Sequence, residues 1–141
     1  HLVVRTAWLY GHGGRNFVEA IRAQLASGAA RLRVVADQRG CPTFADDLAL
    51  AVADLIESGA GGTFHAVNAG HTTWHGFAAE IVRLLGAAAE VEPVSTAAFP
   101  RPAARPAFSV LDTNRLRQAL GRPLPAWEDG LRRYLEAPCG S

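Results

Sequence analysis

Short β-branched runs alternate with segments whose apolar residues recur at helical spacing. That alternation restricts the chain to an α/β fold. Leu2, Val3 and Val4, continued by Thr6 and Trp8, read as a first buried strand. Gly11, Gly13 and Gly14 then break it. Asn16 is placed to cap a helix whose Phe17, Ala20, Ile21 and Leu25 share one face, and Gly28 ends that helix. Residues 32–36 form a second strand. Residues 37–43 form a polar loop interrupted by Gly40 and Pro42. A helix over residues 45–58 follows, with Leu48, Ala49, Val52, Leu55 and Ile56 as its inner stripe. Asp46 and Asp47 lie in its first turn, where negative charge suits the helix dipole.

After the glycine turn at 59–62, residues 63–67 read as a third strand. Thr72 or Thr73 caps the next helix, which carries Trp74, Phe77, Ala78, Ile81, Val82 and Leu85 and closes at Gly86. Residues 91–94 make a short strand, and the prolines of 99–106 stiffen an extended loop. Asp112 or Thr113 caps a short helix that runs to Leu120. A last helix follows Pro125, with Trp127, Leu131, Tyr134 and Leu135 on one face. The expected architecture is a single domain over residues 1–141, in three layers, with strands alternating with helices and a mostly parallel sheet. Open sheets of this class bind ligands beyond the carboxyl ends of their strands. The loops 10–16, 37–43 and 68–73 all follow strands and are expected to line one crevice.

Charge and composition narrow the function. The chain has 14 basic and 13 acidic side chains, a net charge of +1, so no basic excess points to nucleic acid. All the basic residues are arginine. Without lysine the chain carries no Schiff base, no P-loop lysine and no Tyr–Lys reductase pair. No apolar stretch reaches membrane-spanning length, and the opening run is too short for a signal peptide. Cys41 and Cys139 are far apart and read as free thiols, which suits the cytoplasm. A start without Met, directly in a strand, suggests a chain that begins inside a larger protein.

Several constellations invite chemistry. Residues 11–16 sit between a strand and a helix, and Asp37 ends the next strand, as a dinucleotide fingerprint requires. Asn16 stands where that fingerprint needs its last glycine, so a plain glycine turn is the better reading. His1, His12, His65, His71 and His75 lack the spacing of a closed zinc set. No serine has a nucleophile elbow around it, and neither cysteine has a catalytic signature. Arg5, Arg15, Arg39, Arg101 and Arg105 lie in or beside glycine- and proline-rich segments. Arg105 is the strongest anion-binding candidate, because Pro102 and Pro106 restrict its loop. Trp8 is either core or the apolar wall of a ligand site, and position alone does not choose.

Taken together, Arg5-Thr6-Ala7-Trp8-Leu9-Tyr10-Gly11, Asn16-Phe17-Val18 and Asp37-Gln38-Arg39-Gly40-Cys41-Pro42-Thr43 resemble the dTDP-4-dehydrorhamnose reductase family. So do Asp47-Leu48-Ala49, Thr73-Trp74, Ala104-Arg105-Pro106 and Trp127-Glu128-Asp129-Gly130-Leu131. The resemblance runs in order from Val3 to about Leu135. It covers the C-terminal, substrate-binding half of these extended short-chain dehydrogenase/reductases. Their N-terminal Rossmann half, with its Gly-rich NADP(H) motif and Tyr-x-x-x-Lys pair, has no counterpart here.

The resemblance implies the sugar-nucleotide-binding half of an NADPH-dependent reductase, with a dTDP-sugar as ligand and a Rossmann half as partner. No cofactor is expected to bind tightly to this chain alone, and this chain alone is not expected to catalyse. Trp8 is implied as a wall for the sugar and Arg105 as a partner of the diphosphate. Asn16 and Gln38 are implied in nucleotide-sugar contacts or loop ordering. Thr6 and Ala7 are implied at the nicotinamide end, although the family usually carries Ser where Ala7 stands. A face exposed by the missing half predicts a homo-oligomer. The rival expectation from the same family is a non-catalytic binding or regulatory module, as in the methionine adenosyltransferase β subunit. A free-standing dinucleotide-binding domain ranks behind both.

Overall fold

The computed structural model describes residues 1–99 and 103–137. Arg101, Pro102 and Cys139 therefore lie outside the described residues. The elements run β1 (Leu2–Arg5), β2 (Leu9–Tyr10), α1 (Phe17–Ala26), β3 (Arg31–Val35), β4 (Arg39–Gly40), β5 (Thr43–Phe44) and α2 (Ala45–Glu57). They continue with β6 (Gly62–His65), β7 (Thr72–Thr73), α3 (Trp74–Leu84), β8 (Glu90–Val94), a 3-10 turn (Thr96–Ala98), α4 (Asn114–Leu120) and α5 (Trp127–Glu136).

The fold is α/β with parallel pairing, but the described strands pair two by two and not in one broad sheet. β1 pairs with β6, β2 with β5 and β3 with β8, all parallel, while β4 and β7 are antiparallel. The first strand also stops earlier than its composition suggests. It ends at Arg5, and Trp8 turns the chain with φ +46° before β2 begins. The loop 37–43 is likewise not irregular throughout, because it contains β4 and the start of β5.

Two apolar clusters carry the packing. The larger gathers Tyr10, Val18, Ile21, Leu32, Phe77, Ile81 and Leu131 between α1, α3 and α5. The smaller joins Ala51 and Leu55 of α2 to Phe64, Leu116 and Leu124. The inner stripe of α2 is Asp47, Ala51 and Leu55. Ala49 and Ile56, expected inside, are exposed. The helix is rotated from the expected face because a buried carboxylate, Asp47, takes the place of an alkyl side chain.

The helix starts follow local chemistry. The Asn16 Oδ1 accepts from the Glu19 amide at 3.1 Å and the Thr73 Oγ1 from the Gly76 amide at 3.0 Å, satisfying N–H groups that a helix leaves open. Asp112 accepts from the Asn114 amide at 2.8 Å just before α4.

Candidate functional site

One face of α1, the ends of β3 and β8 and the start of α3 surround an open cleft of about 520 Å³, within the range of small-molecule sites. Phe17 and Ile21 enter from α1, Arg33 and Val35 from β3, Trp74 from α3, and Thr96 and Phe99 from beyond β8. Gln38 and Arg105 complete the rim. Alternation in β3 explains its share. Leu32 and Val34 point into the core, so Arg31 and Arg33 point out, and Arg33 lies nearer the loop.

Polar groups around the cleft are unevenly committed. Thr96 is the meeting point of one cluster. The Asp37 carboxylate accepts from the Thr96 amide at 2.9 and 3.0 Å and from its hydroxyl at 2.6 Å. The buried Gln38 donates its Nε2 to Thr96 Oγ1 at 2.9 Å, and its carbonyl oxygen has no side-chain partner among the described residues. The hydrogen bonds from Thr96 hold the Asp37 carboxyl below the ordinary aspartate range. Asp37 thus fixes the turn after β8. Arg105 is exposed and makes no ion pair among the described residues. Arg33 reaches Glu92 only at 3.8 Å and lies 5.7 Å from the Phe99 ring centre.

Beside the cleft, Trp8 and Trp74 stack face to face, with centroids 3.6 Å apart and planes inclined by 11°. Phe17 leans on Trp74 at 4.7 Å, so Trp74 links the cleft wall to Trp8. Thr6 is exposed and Ala7 half-buried between β1 and Trp8.

Asn16 lies elsewhere, at the foot of α1. Its Nδ2 donates to Gly11 O at 2.9 Å, Gly14 O at 3.3 Å and the Tyr134 hydroxyl at 3.3 Å. These contacts close the loop 11–16 on itself, and a Cβ at Gly11 would fall 2.7 Å from that of Ala45. The Asn16 side chain caps this helix start and spends its amide on loop carbonyls.

Of the sequence candidates, Gln38 and Arg105 come together in the cleft, with Trp8 next to it through Trp74. Arg5, Arg15 and Arg39 do not line it. The histidines are dispersed: His75 meets Val91 O at 3.0 Å, His65 meets Asp112 O at 3.1 Å, and His12 stacks on Tyr134. Among the described residues no three metal-ligating side chains gather. Sequence reasoning missed Arg33, Phe17, Trp74 and Thr96 as site residues. The outward register of Arg33 beside the 37–43 loop was the one available signal.

Behind the cleft lies a second polar region. The Asp47 carboxylate accepts from Asn68 Nδ2 at 2.7 Å and from Arg133 at 2.7 and 2.8 Å, and Arg133 Nε also donates to Asp129 at 2.8 Å. Asn68 Oδ1 accepts the Phe44 amide at 2.8 Å. The Asp47 and Asp129 carboxylates raise the Arg133 pKa further, and burial raises that of Tyr10.

Known proteins share this arrangement. A family model described as "RmlD substrate binding domain" matches residues 1–138. A dTDP-4-dehydrorhamnose reductase of Streptomyces griseus is 45% identical, over 98% of this chain and 47% of that protein. A probable dTDP-4,6-dihydroxy-2-methyloxan-3-one 4-ketoreductase of Streptomyces antibioticus is 48% identical, over 92% and 44%. The crystal structure of a Bacillus anthracis dTDP-4-dehydrorhamnose reductase in complex with NADP superposes with a TM-score of 0.87 at 40% identity, over 95% of this chain and 47% of that one. The chain spans about half the length of these relatives. No helix among the described residues is long and apolar enough to cross a membrane.

Proposed function

Because the chain belongs to the RmlD substrate-binding-domain family, we propose that it is the sugar-nucleotide-binding half of an NADPH-dependent dTDP-4-dehydrorhamnose reductase. The observation that carries this reading is the make-up of the cleft. Aromatic walls at Phe17, Trp74 and Phe99 stand beside Arg33 and Arg105, two cations without a close ion pair among the described residues. Flat apolar surfaces next to guanidinium forks suit a base joined to a diphosphate.

In this reading the nucleotide occupies the cleft and Arg105 meets the diphosphate. The free carbonyl of Gln38 accepts from the ligand, and Trp8 walls the sugar. Asn16 acts at a distance by ordering the loop 11–16. When bound, NADPH would supply hydride to the C4 ketone, and Thr6 and Ala7 of this chain would hold its nicotinamide end. The proton donor belongs to the partner half, since Tyr10 is buried with its hydroxyl unpartnered and Tyr134 is tied to Glu19 and Asn16.

Thymidine diphosphate binding tests the reading directly. Saturable quenching of tryptophan fluorescence is expected, because Trp74 lines the cleft. The complete enzyme carrying Trp8→Ala should lose about tenfold or more in kcat/KM for the keto sugar. Absence of saturable binding, or unchanged kinetics in that variant, overturns the reading.

A further inference from the structure

Trp8 is the only non-glycine among the described residues with a positive φ, +46°. Such a conformation persists only where its surroundings dictate it. Its carbonyl accepts the Thr43 amide at 3.1 Å, which fixes the backbone, while the Trp74 stack at 3.6 Å fixes one side of the ring. The remaining constraint comes from Gly40. A Cβ placed on Gly40 would fall 2.6 Å from the Trp8 Nε1 and 2.7 Å from Cζ2, and closer still to Cε2. No positive φ is found at Gly40, so the backbone there accepts any residue. What the position requires is the absence of a side chain. A methyl group there would push the indole off its present seat against Trp74.

We infer that Gly40 is a positioning residue for Trp8: with Trp74 it forms a slot one indole thick that presets the ring for the sugar. This rests on the reading of Trp8 as the sugar wall. Gly40 touches no ligand itself and acts only through the ring. Its backbone bonds to β7 through the pairing of Gly40 with Thr72, which holds the slot at a fixed width.

The test is a cycle of Gly40→Ala and Trp8→Ala, alone and together, in the full-length protein. Gly40→Ala should lower kcat/KM for the keto sugar by about tenfold or more, as misplacement of a positioning group does. The same change in the Trp8→Ala background should alter it less than about twofold, because the ring through which Gly40 acts is gone. Thymidine diphosphate affinity should stay the same in both. The far-ultraviolet exciton couplet of the stacked indoles should collapse in Gly40→Ala while the helical signal remains.

An equal loss in both backgrounds, or an intact couplet, overturns the inference. If Trp8→Ala leaves turnover unchanged, the sugar-wall reading fails, and the couplet still reports whether Gly40 holds the ring. If Gly40→Ala does not fold, the Gly40→Ala/Trp74→Ala pair decides. Recovery of folded protein is expected, since the indole gains room, and failure of the pair overturns the inference.

Discussion

Two polar regions of this molecule differ in how completely their charges are spent. Around Asp47 the charged groups are paired, although the Tyr10 hydroxyl beside them is not: the carboxylate holds Asn68 and Arg133, and Arg133 also holds Asp129. Around the cleft, Arg105 has no ionic partner among the described residues and Arg33 has a distant one. Saturated charges near a core fix the fold, because an unpaired buried charge is too costly to keep. Unspent charges beside aromatic walls leave interaction energy for a ligand. The contrast separates structural from binding polarity without reference to any relative.

The sharpest way to break the contrast is to unpair the saturated region. Asp47→Ala leaves one buried Asn68 N–H without its acceptor and Arg133 with Asp129 alone, and should destabilise the fold by about 2 kcal/mol, the range for a buried donor left unsatisfied. Urea unfolding measures it. A loss below about 1 kcal/mol would place Asp47 with the weak surface pairs. The opposite result is expected at the cleft. Arg105→Ala should leave the unfolding midpoint within about 0.5 kcal/mol, as for surface changes. Its thymidine diphosphate affinity should fall about tenfold, the scale of one charge-assisted hydrogen bond. Calorimetric titration reads the affinity, and loss of stability in place of affinity would move Arg105 into the structural class.

The two regions were also unequally legible in the sequence. Caps at Asn16 and Thr73 were readable because the capping contact spans three residues. Alternating strands and helices were readable from periodicity. The face of α2 was not, because Asp47 is buried by Arg133, 86 positions away, and no local pattern announces that pairing. The two-residue strands β4 and β5 are too short to show alternation, so their segment read as a loop. Arg105 and Gln38 could be picked out by their segments. Arg33 and Thr96 join them because β3 and β8 pair in parallel and bring their distal ends together, and Trp74 because α3 packs across both strands.

That same pairing yields the smallest expected effect. Thr96 meets Asp37 where β3 and β8 end, and its hydrogen bonds hold the Asp37 carboxyl below the ordinary value. Such a group keeps its charge to lower pH in the folded chain than in the unfolded one. Its contribution to stability is therefore fully present above the unfolded value of about 3.9, and is lost as pH falls through the depressed folded value. Asp37→Asn should thus unfold at lower denaturant than the parent chain at every pH from 7 down to about 5. Below about pH 4 the two curves should begin to draw together, and they should meet only once the folded carboxyl is protonated. Asp37 is exposed, so the gap should be small. Parallel curves that never converge on acidification would mean that Asp37 holds Thr96 by shape and not by charge.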